Sequence, residues 1–312
     1  MGLLVELKMY VLLKFLSFLQ VFRRFKIRLG FGHEKYGLLN PFQYKGYWFT
    51  SFMHNMAKIK ECESYENFRP DDVIIVTYPK TGTNFTFEIV VSIYKELGLI
   101  PRNLASMKAV IPFEMVGVKG FTGNSGFERP SPRIFVSHLP LDLFSPMVRE
   151  GKVKVIHCYR NPKDVVCSMF PFLKKMGAIA PNVSWNEFFY WFMEGNVIPG
   201  SYFKFLKEWY PYRNNPNMLT LQFEDMKKDL KSNVERIAEL LDVKLSPQQL
   251  ETIVTGNTFE NKKKELGSNH PVYRKGKTGG WKSDLTVEQN EMLDEWIQRE
   301  MEGLEELPMH YE

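Results

Sequence analysis

The stretch VIIVTYPKTGTNF, residues 73–85, joins an apolar strand pattern to a helix pattern through a short turn that contains a glycine. Its first part, VIIVTY, is entirely β-branched or aromatic, which is typical of a strand buried within a sheet. Apolar residues then recur at helical spacing from Asn84 to about Leu97. The first backbone N–H groups of such a helix have no partner within it, and the helix dipole adds positive potential there. The stretch therefore predicts an α/β fold with an anion-binding turn.

The rest of the chain alternates strand and helix patterns. Residues 133–137 (RIFVS) and 153–159 (VKVIHCY) predict two more buried strands, and residues 218–222 predict a weaker one. Helices are predicted over residues 185–195, 200–209, 232–241, 246–255 and 286–301. The alternation predicts a single α/β domain with a mostly parallel central sheet flanked by helices. Ligands of such sheets bind beyond the carboxyl ends of the strands. The turns expected to share that edge are residues 79–84, 138–140 and 160–164.

The composition is that of an ordinary globular protein. Of 312 residues, 44% are hydrophobic and 25% are charged, and no repeat of fixed period is visible. The net charge of +5 fits an anionic small ligand or a membrane surface and does not indicate a nucleic-acid partner. Cys62, Cys158 and Cys167 lack the spacing of a disulfide framework or a metal site, so we expect a reducing, cytoplasmic compartment.

The N-terminus carries a possible membrane feature. Residues 9–22 are nearly all apolar, but Lys14 interrupts them and the run is too short to span a bilayer. The pattern predicts an amphipathic helix that lies either on a membrane surface, as a peripheral contact through residues 3–29, or on the domain itself. We therefore divide the chain into an N-terminal extension, residues 1–35, and an α/β domain, residues 36–312.

The turn after the first strand has the chemistry of a phosphate site. Lys80 places a full positive charge there, and the hydroxyls of Thr81 and Thr83 add hydrogen-bond donors. Because the lysine precedes Gly82, the turn differs from the G-x-x-x-x-G-K-[ST] phosphate loop of nucleotide kinases. The alternative is an ordinary strand–helix turn with a capping threonine.

Two further segments suit a phosphate monoester. Arg160 directly follows a predicted strand, and Ser168 lies about two helical turns further on, so both can face one ligand. The alternative for Arg160 is a surface ion pair with Asp164. The segment YRKGKTGGWK, residues 273–282, has four cations and three glycines, which favours a loop that wraps phosphate oxygens. A solvated basic loop is its alternative.

His138 follows the strand predicted at residues 133–137. A histidine at that edge can accept the proton of an attacking hydroxyl group. The alternative is a structural histidine.

Taken in order, these four segments resemble the cytosolic sulfotransferase family over about residues 65–295. The resemblance implies a single domain related to the P-loop nucleotide kinases. It also implies transfer of a sulfuryl group from PAPS (3′-phosphoadenosine 5′-phosphosulfate), with PAP as the product and no metal. Tyr78–Thr83 resembles the family's 5′-phosphosulfate loop, and Arg160 with Ser168 resembles a 3′-phosphate contact. His138 matches the catalytic base of its His-Leu-Pro motif, and Lys80 is implied to assist catalysis.

The resemblance also implies residues for the other parts of the site. For the donor nucleotide they are Lys80, Thr81, Gly82, Thr83, Asn84, Phe85, Arg160, Ser168, Phe223, Asn257, Phe259, Tyr273, Arg274, Lys275 and Gly276. Phe113, in Pro-Phe-Glu, resembles a position that lines the acceptor pocket. The family's dimer motif is matched by Lys282, Thr286, Val287 and Glu291, which implies a homodimer.

Five positions depart from the family pattern. Asn84-Phe85 stands where the family usually has Thr-Trp, Phe223 replaces a tyrosine, and Gly280 replaces an aspartate. Val136 replaces a lysine that stands two residues before the histidine and is thought to contact the reacting oxygens. Such a donor is worth on the order of 10²–10³ in rate.

The sequence thus predicts transfer from PAPS to a hydroxyl or amine group of a small, apolar acceptor such as a phenol, alcohol or sterol, with His138 as the general base. Val136 and Asn84 motivate one alternative, a catalytically silent protein that binds PAP or another ligand. A second alternative is a Golgi carbohydrate sulfotransferase. A Golgi enzyme would lie in the lumen, where the sequon Asn84-Phe85-Thr86 would be open to glycosylation. A glycan there would block the donor turn, which argues against this second alternative.

Overall fold

The computed structural model describes residues 34–35, 37–51, 53–116, 128–266 and 278–311. The strands are β1 (Glu34–Lys35), β2 (Leu38–Leu39), β3 (Pro41–Tyr44), β4 (Tyr47–Thr50), β5 (Val73–Thr77), β6 (Val110–Pro112), β7 (Ile134–Ser137), β8 (Lys154–Tyr159) and β9 (Met218–Gln222). The α-helices are α1 (Met56–Glu63), α2 (Thr83–Glu96), α3 (Ser106–Ala109), α4 (Pro146–Arg149), α5 (Pro162–Met176), α6 (Trp185–Glu194), α7 (Tyr202–Trp209), α8 (Phe223–Lys228), α9 (Leu230–Leu240), α10 (Pro247–Gly256), α11 (Phe259–Leu266) and α12 (Val287–Glu300).

A five-stranded sheet forms the centre of the domain, in the order β6-β7-β5-β8-β9. Every neighbouring pair in this sheet is parallel. The chain moves to one side of β5 for β6 and β7 and to the other side for β8 and β9, so β5 lies where the order reverses. Crevices at such a reversal, beyond the carboxyl ends of the strands, are where ligands bind in open α/β sheets. The predicted mostly parallel sheet is confirmed.

Apolar side chains cover both faces of the sheet, as the unbroken apolar strand patterns predict. All five residues of β5 are buried. Ile74 and Val76 pack into one core cluster, and Val73 and Ile75 pack into another on the opposite face. Cys62, Cys158 and Cys167 are buried, and no disulfide joins them. Cys158 and Cys167 pack into the two core clusters on opposite faces of the sheet.

The helix α6 begins at the predicted residue 185, whereas other helix starts differ from the predicted ones by one or two residues because capping residues set them. Thr286 is the N-cap of α12 and accepts a hydrogen bond from the backbone N–H of Gln289, so the helix itself begins at Val287. Ser201 caps α7 in the same way, after Gly200 at a φ of 138°. Asp229 caps α9, which begins two residues before the predicted start at residue 232.

The N-terminal extension lies almost wholly outside the described residues. The amphipathic helix, the membrane contact of residues 3–29 and the division at residues 35 and 36 remain predictions. Within the ranges given above, no helix is both long enough and apolar enough to cross a membrane.

Candidate active site

The turn between β5 and α2 is held in place by a buried threonine. The Thr81 hydroxyl lies 2.8 Å from the carbonyl oxygen of Tyr78 and 2.9 Å from that of Cys158 in β8. Thr81 has no exposed surface. The structure therefore corrects the predicted role of this hydroxyl, because it fixes the turn to the neighbouring strand and does not face a ligand. Its carbonyl oxygen also accepts a contact from the Cys158 thiol at 3.0 Å.

Gly82 is required where the turn becomes a helix. Its φ of 122° is a conformation that favours glycine, and a Cβ there would lie 2.9 Å from the ring of Phe223. Helix α2 begins at the next residue, and no described side chain caps its first backbone N–H groups. These N–H groups and the helix dipole supply the positive potential that an anion site requires, and the anion site itself stays a prediction.

Lys80 places a positive charge in this turn, and its backbone conformation is strained. Its φ is 74°, in the left-handed region that residues other than glycine seldom adopt. Its ammonium group lies 4.1 Å from the ring centroid of Phe172 on α5, and its carbonyl oxygen accepts a hydrogen bond from Arg160 at 3.4 Å. Such strain persists only where surrounding contacts enforce it, and it is concentrated at functional sites.

His138 lies at the end of β7, beside the end of β5. Its Nδ1 is 2.7 Å from the carbonyl oxygen of Thr77, which can only accept a hydrogen bond. The proton of the neutral ring therefore sits on Nδ1, and Nε2 carries the lone pair. The Thr77 hydroxyl lies 3.2 Å from the same Nδ1 and 2.6 Å from the hydroxyl of Thr83, at the start of α2. The predicted base and the predicted anion turn are thus joined through Thr77.

Glu114 is a functional residue that the sequence analysis missed. Its carboxylate has no exposed surface and accepts hydrogen bonds from the backbone N–H of His138 at 2.9 Å and the hydroxyl of Ser137 at 2.8 Å. It therefore fixes the end of β7 at His138 and at the residue before it. A sequence signal was available, because an acidic residue closely follows the apolar strand β6 and so faces the same sheet edge.

Arg160 lies beyond the end of β8, in contact with an aromatic pair. Its guanidinium carbon is 4.4 Å from the ring centroid of Phe223. Phe223 meets Phe85 edge to face, with 6.0 Å between the ring centroids. Two predicted nucleotide-binding aromatic residues are therefore adjacent, at the start of α2 and next to the predicted phosphate-binding arginine.

Two buried carboxylates face the guanidinium of Arg160. Asp164 Oδ2 lies 3.2 Å from its Nη2, and Glu224 Oε1 lies 3.8 Å from its Nε. The side chain of Arg160 is only 12% exposed, so its ion pair with Asp164 is largely buried. It is therefore not the surface ion pair that the sequence offered as the alternative. Burial raises the pKa of Glu224 to about 7, although the positive charge of Arg160 opposes this shift.

The carboxyl end of the basic segment, residues 273–282, contacts Asp164, the carboxylate that pairs with Arg160. The backbone N–H groups of Gly279 and Trp281 each donate a hydrogen bond of 3.0 Å to the carboxylate of Asp164. The predicted phosphate contacts Tyr273, Arg274, Lys275 and Gly276 lie outside the described residues.

The remaining predicted residues occupy different settings. Ser168 is half-buried on α5. Asn257 is buried at the end of α10, and its amide donates to the carbonyl oxygen of Ile253 at 2.8 Å and to the Ser92 hydroxyl at 3.0 Å. The side chain of Phe259 lies outside the described set. Phe113 is fully buried and stacks on Phe144, with 5.6 Å between the ring centroids.

The four residues of the predicted dimer motif lie at the start of α12 and just before it. Val287 is 76% exposed, which is unusual for an apolar side chain. Thr286, as the N-cap, has a structural role as well.

The sheet edge thus brings together the predicted phosphate-binding turn, the predicted base His138 with a defined tautomer, and an arginine beside an aromatic pair. In the described residues there is no group of three or more His, Cys, Asp or Glu side chains that could hold a metal ion. This combination is typical of an α/β protein that binds a phosphorylated ligand and transfers a group from it.

Comparison with known proteins specifies the class. A family model described as "Sulfotransferase domain" matches residues 70–305. The amine sulfotransferase of Oryctolagus cuniculus is 34% identical over 273 residues, which cover 83% of this chain and 89% of that protein. The 3-alpha-hydroxysteroid sulfotransferase of Cavia porcellus is 35% identical over 251 residues, which cover 75% of this chain and 85% of that protein. The crystal structure of mouse sulfotransferase SULT7A1 complexed with PAP has a TM-score of 0.70 at 26% identity, covering 84% of this chain and 94% of that one.

The chain belongs to the sulfotransferase family. The predicted fold class is confirmed, and so is the prediction of a PAPS-dependent sulfotransferase.

Proposed function

We propose that the chain transfers the sulfuryl group of PAPS to the hydroxyl or amine group of a small, apolar acceptor, with His138 as general base. The observation that carries this proposal is the hydrogen bond between His138 Nδ1 and the Thr77 carbonyl oxygen, 2.7 Å long. It leaves the Nε2 lone pair as the proton acceptor, and no described residue forms a hydrogen bond with that atom.

The positions of His138, Lys80 and the start of α2 define the steps of the proposed reaction. The acceptor oxygen or nitrogen attacks the sulfur and gives its proton to His138 Nε2, while the bond between sulfur and the bridging phosphate oxygen breaks. The bridging oxygen keeps the electron pair of the broken bond, so PAP leaves with one additional negative charge on its 5′-phosphate, while the sulfate group on the acceptor remains an anion. Lys80 and the start of α2 stabilise that charge as it develops, which is the main way that proteins accelerate such in-line transfers.

The donor nucleotide would lie across the edge of the sheet. Its 5′ end would contact the turn formed by Lys80, Thr81, Gly82, Thr83 and Asn84. Its 3′-phosphate would bind Arg160 and Ser168, together with Arg274, Lys275 and Gly276. Phe85 and Phe259 would stack on the adenine, and Phe223, Asn257 and Tyr273 would complete its surroundings. The edge-to-face contact of Phe85 with Phe223 supports this arrangement, because it holds one stacking ring in place beforehand.

The acceptor class is inferred from two sources. The relatives named above are called amine and 3-alpha-hydroxysteroid sulfotransferases. The residue after the base, Leu139, is buried and apolar, as is Phe113. An apolar acceptor with a single nucleophilic group fits these features. We also propose a cytoplasmic homodimer joined at residues 282–291. Val287→Glu is expected to yield a monomer in sedimentation while it still binds PAP.

A silent PAP-binding protein is the second candidate. Val136 is 1% exposed and packs among apolar residues, so this position offers no cation to the reacting oxygens. The deciding experiment is transfer of radiolabelled sulfate from PAPS to a panel of phenols, sterols, alcohols and amines, beside calorimetric titration with PAP. Transfer is expected. Binding of PAP without transfer to any acceptor would favour the silent protein, and absence of PAP binding would refute both.

A further inference from the structure

Asp164 holds two separate parts of the proposed 3′-phosphate site with one carboxylate. Its Oδ2 pairs with Arg160 Nη2 at 3.2 Å and accepts the backbone N–H of Gly279 at 3.0 Å. Its Oδ1 accepts the backbone N–H of Trp281 at 3.0 Å. Three donors from two distant segments thus converge on a side chain that is only 4% exposed. Hydrogen bonds to a buried charged group are among the strong ones.

The carboxylate is itself fixed by the helix that carries it. Asp164 lies in the first turn of α5, where Asn161 is the N-cap and accepts the backbone N–H of Lys163 at 2.9 Å. A negative charge is favourable in the first turn of a helix. The following residues, Val165 and Val166, are completely buried and anchor the turn to the core.

The turn at residues 279–283 is built to receive this carboxylate. Gly279 has a φ of 70°, and a short 3₁₀ helix, Gly280–Ser283, follows it. The Trp281 ring lies 4.4 Å from the ammonium group of Lys163, and its Nε1 donates to the carbonyl oxygen of Tyr311 at 3.2 Å. Neighbouring residues of α5, Lys163 and Asp164, therefore hold the ring and the backbone of the same tryptophan.

We propose that Asp164 is a positioning residue for donor binding, which orients Arg160 and at the same time fixes the Gly279–Trp281 turn next to it. This inference rests on the proposed function, because it takes the group bound at Arg160 to be the 3′-phosphate of PAPS. An arginine presents five N–H donors in one plane, so a partner that sets the plane also sets where the phosphate must lie.

Glu224 provides a natural comparison for this role. It also faces Arg160, at 3.8 Å, and it accepts the backbone N–H of Asn161 at 3.2 Å, but it forms no hydrogen bond or ion pair with the described residues 278–283. Loss of its charge should therefore affect Arg160 and Asn161 but not the Gly279–Trp281 turn. Asp294, which pairs with Lys163 and is 55% exposed, is a control for removing an acidic group near α5 without touching Arg160 or the turn.

The test compares Asp164→Asn, Glu224→Gln and Asp294→Asn with the wild-type chain. Asp164→Asn is expected to weaken PAP binding by about 10- to 100-fold and to weaken adenosine 5′-phosphate binding by less than about threefold, because charged hydrogen bonds are lost only at the 3′ side. The KM for PAPS should rise by a similar factor, whereas the KM for the acceptor should stay unchanged. Amide hydrogen exchange at Gly279 and Trp281 should become at least about tenfold faster in Asp164→Asn only.

The outcomes separate the inference from the function on which it rests. If wild type binds PAP and Asp164→Asn binds it within about twofold, or weakens both nucleotides equally, the positioning role is refuted. Unchanged amide exchange in Asp164→Asn would refute the hold on the turn. If the wild-type chain does not bind PAP, the proposed function is refuted, and the inference that rests on it is refuted as well. If Asp164→Asn loses its cooperative thermal transition, the test uses Asp164→Glu and applies the same criteria. Asp164→Glu keeps the negative charge but displaces that charge.

Discussion

The ends of β7 and β8 flank the end of β5, and they are built from different chemistry. At the β7 end, His138 is held by the neutral carbonyl oxygen of Thr77. At the β8 end, Arg160 is held by two carboxylates. A base must gain and lose a proton, so a neutral partner that fixes the tautomer suits it. A phosphate-binding cation must keep its charge and its orientation, and buried acidic partners provide both. Mutations at the two ends should therefore change different measured quantities.

The largest effect is expected at the β7 end. His138→Ala removes the proton acceptor, and the transfer rate constant should fall by about 10³-fold. PAP affinity should stay within about twofold, because no donor contact is lost. Single-turnover kinetics and calorimetry measure the two quantities.

The matched control for that variant is His310→Ala, because His310 is half exposed and pairs with the surface residue Asp225. It should behave as wild type in both assays. Loss of PAP binding in His138→Ala would contradict the assigned role of the base.

A smaller effect of opposite character is expected at the β8 end. Arg160→Ala should weaken PAP by about 10- to 100-fold, since a hydrogen-bonded charge pair is lost. Adenosine 5′-phosphate, which lacks the 3′-phosphate, should be affected far less. Arg213→Ala is the control, because Arg213 pairs with Glu306 at 2.7 Å away from this edge. Equal weakening of the two nucleotides would refute the assignment of the 3′-phosphate to Arg160.

The smallest effect concerns pH. The pKa of Glu224 is raised to about 7 by burial, so the group is mostly neutral below pH 7 and mostly charged above it. Its negative charge opposes a bound phosphate, and PAP affinity should therefore fall by a few-fold between about pH 6 and pH 8. Glu224→Gln should reduce that fall, as measured by calorimetry at several pH values.

The phosphates of PAP titrate equally in both experiments, so the difference between wild type and Glu224→Gln isolates the carboxyl group. An identical pH dependence in the two proteins would show that Glu224 does not sense the ligand.

The sequence allowed much of this arrangement to be predicted, for a physical reason. Lys80, His138 and Arg160 each follow closely on an apolar strand, and parallel strands bring their carboxyl ends to one edge. The strand order could not be predicted, because it depends on how helices pack over the sheet. Glu224 was missed, since a buried acid is recognised by its partners, and Arg160 and Asn161 lie far away in the sequence. The role of Thr81 was misassigned partly for the same reason: its hydroxyl contacts the carbonyl oxygen of Tyr78, three residues away, and also that of Cys158, 77 residues away.

The left-handed backbone of Lys80 has a consequence for how the protein balances folding against activity. Lys80→Gly and Lys80→Ala both remove the charge, but only glycine adopts a φ of 74° without strain. The glycine variant should therefore be more stable than the alanine variant by about 1 kcal/mol, even though glycine leaves the unfolded chain more freedom. Lys80, to which we assign a role in the reaction, occupies a position where glycine would be more stable. In this turn, activity and thermal stability are competing demands on one residue.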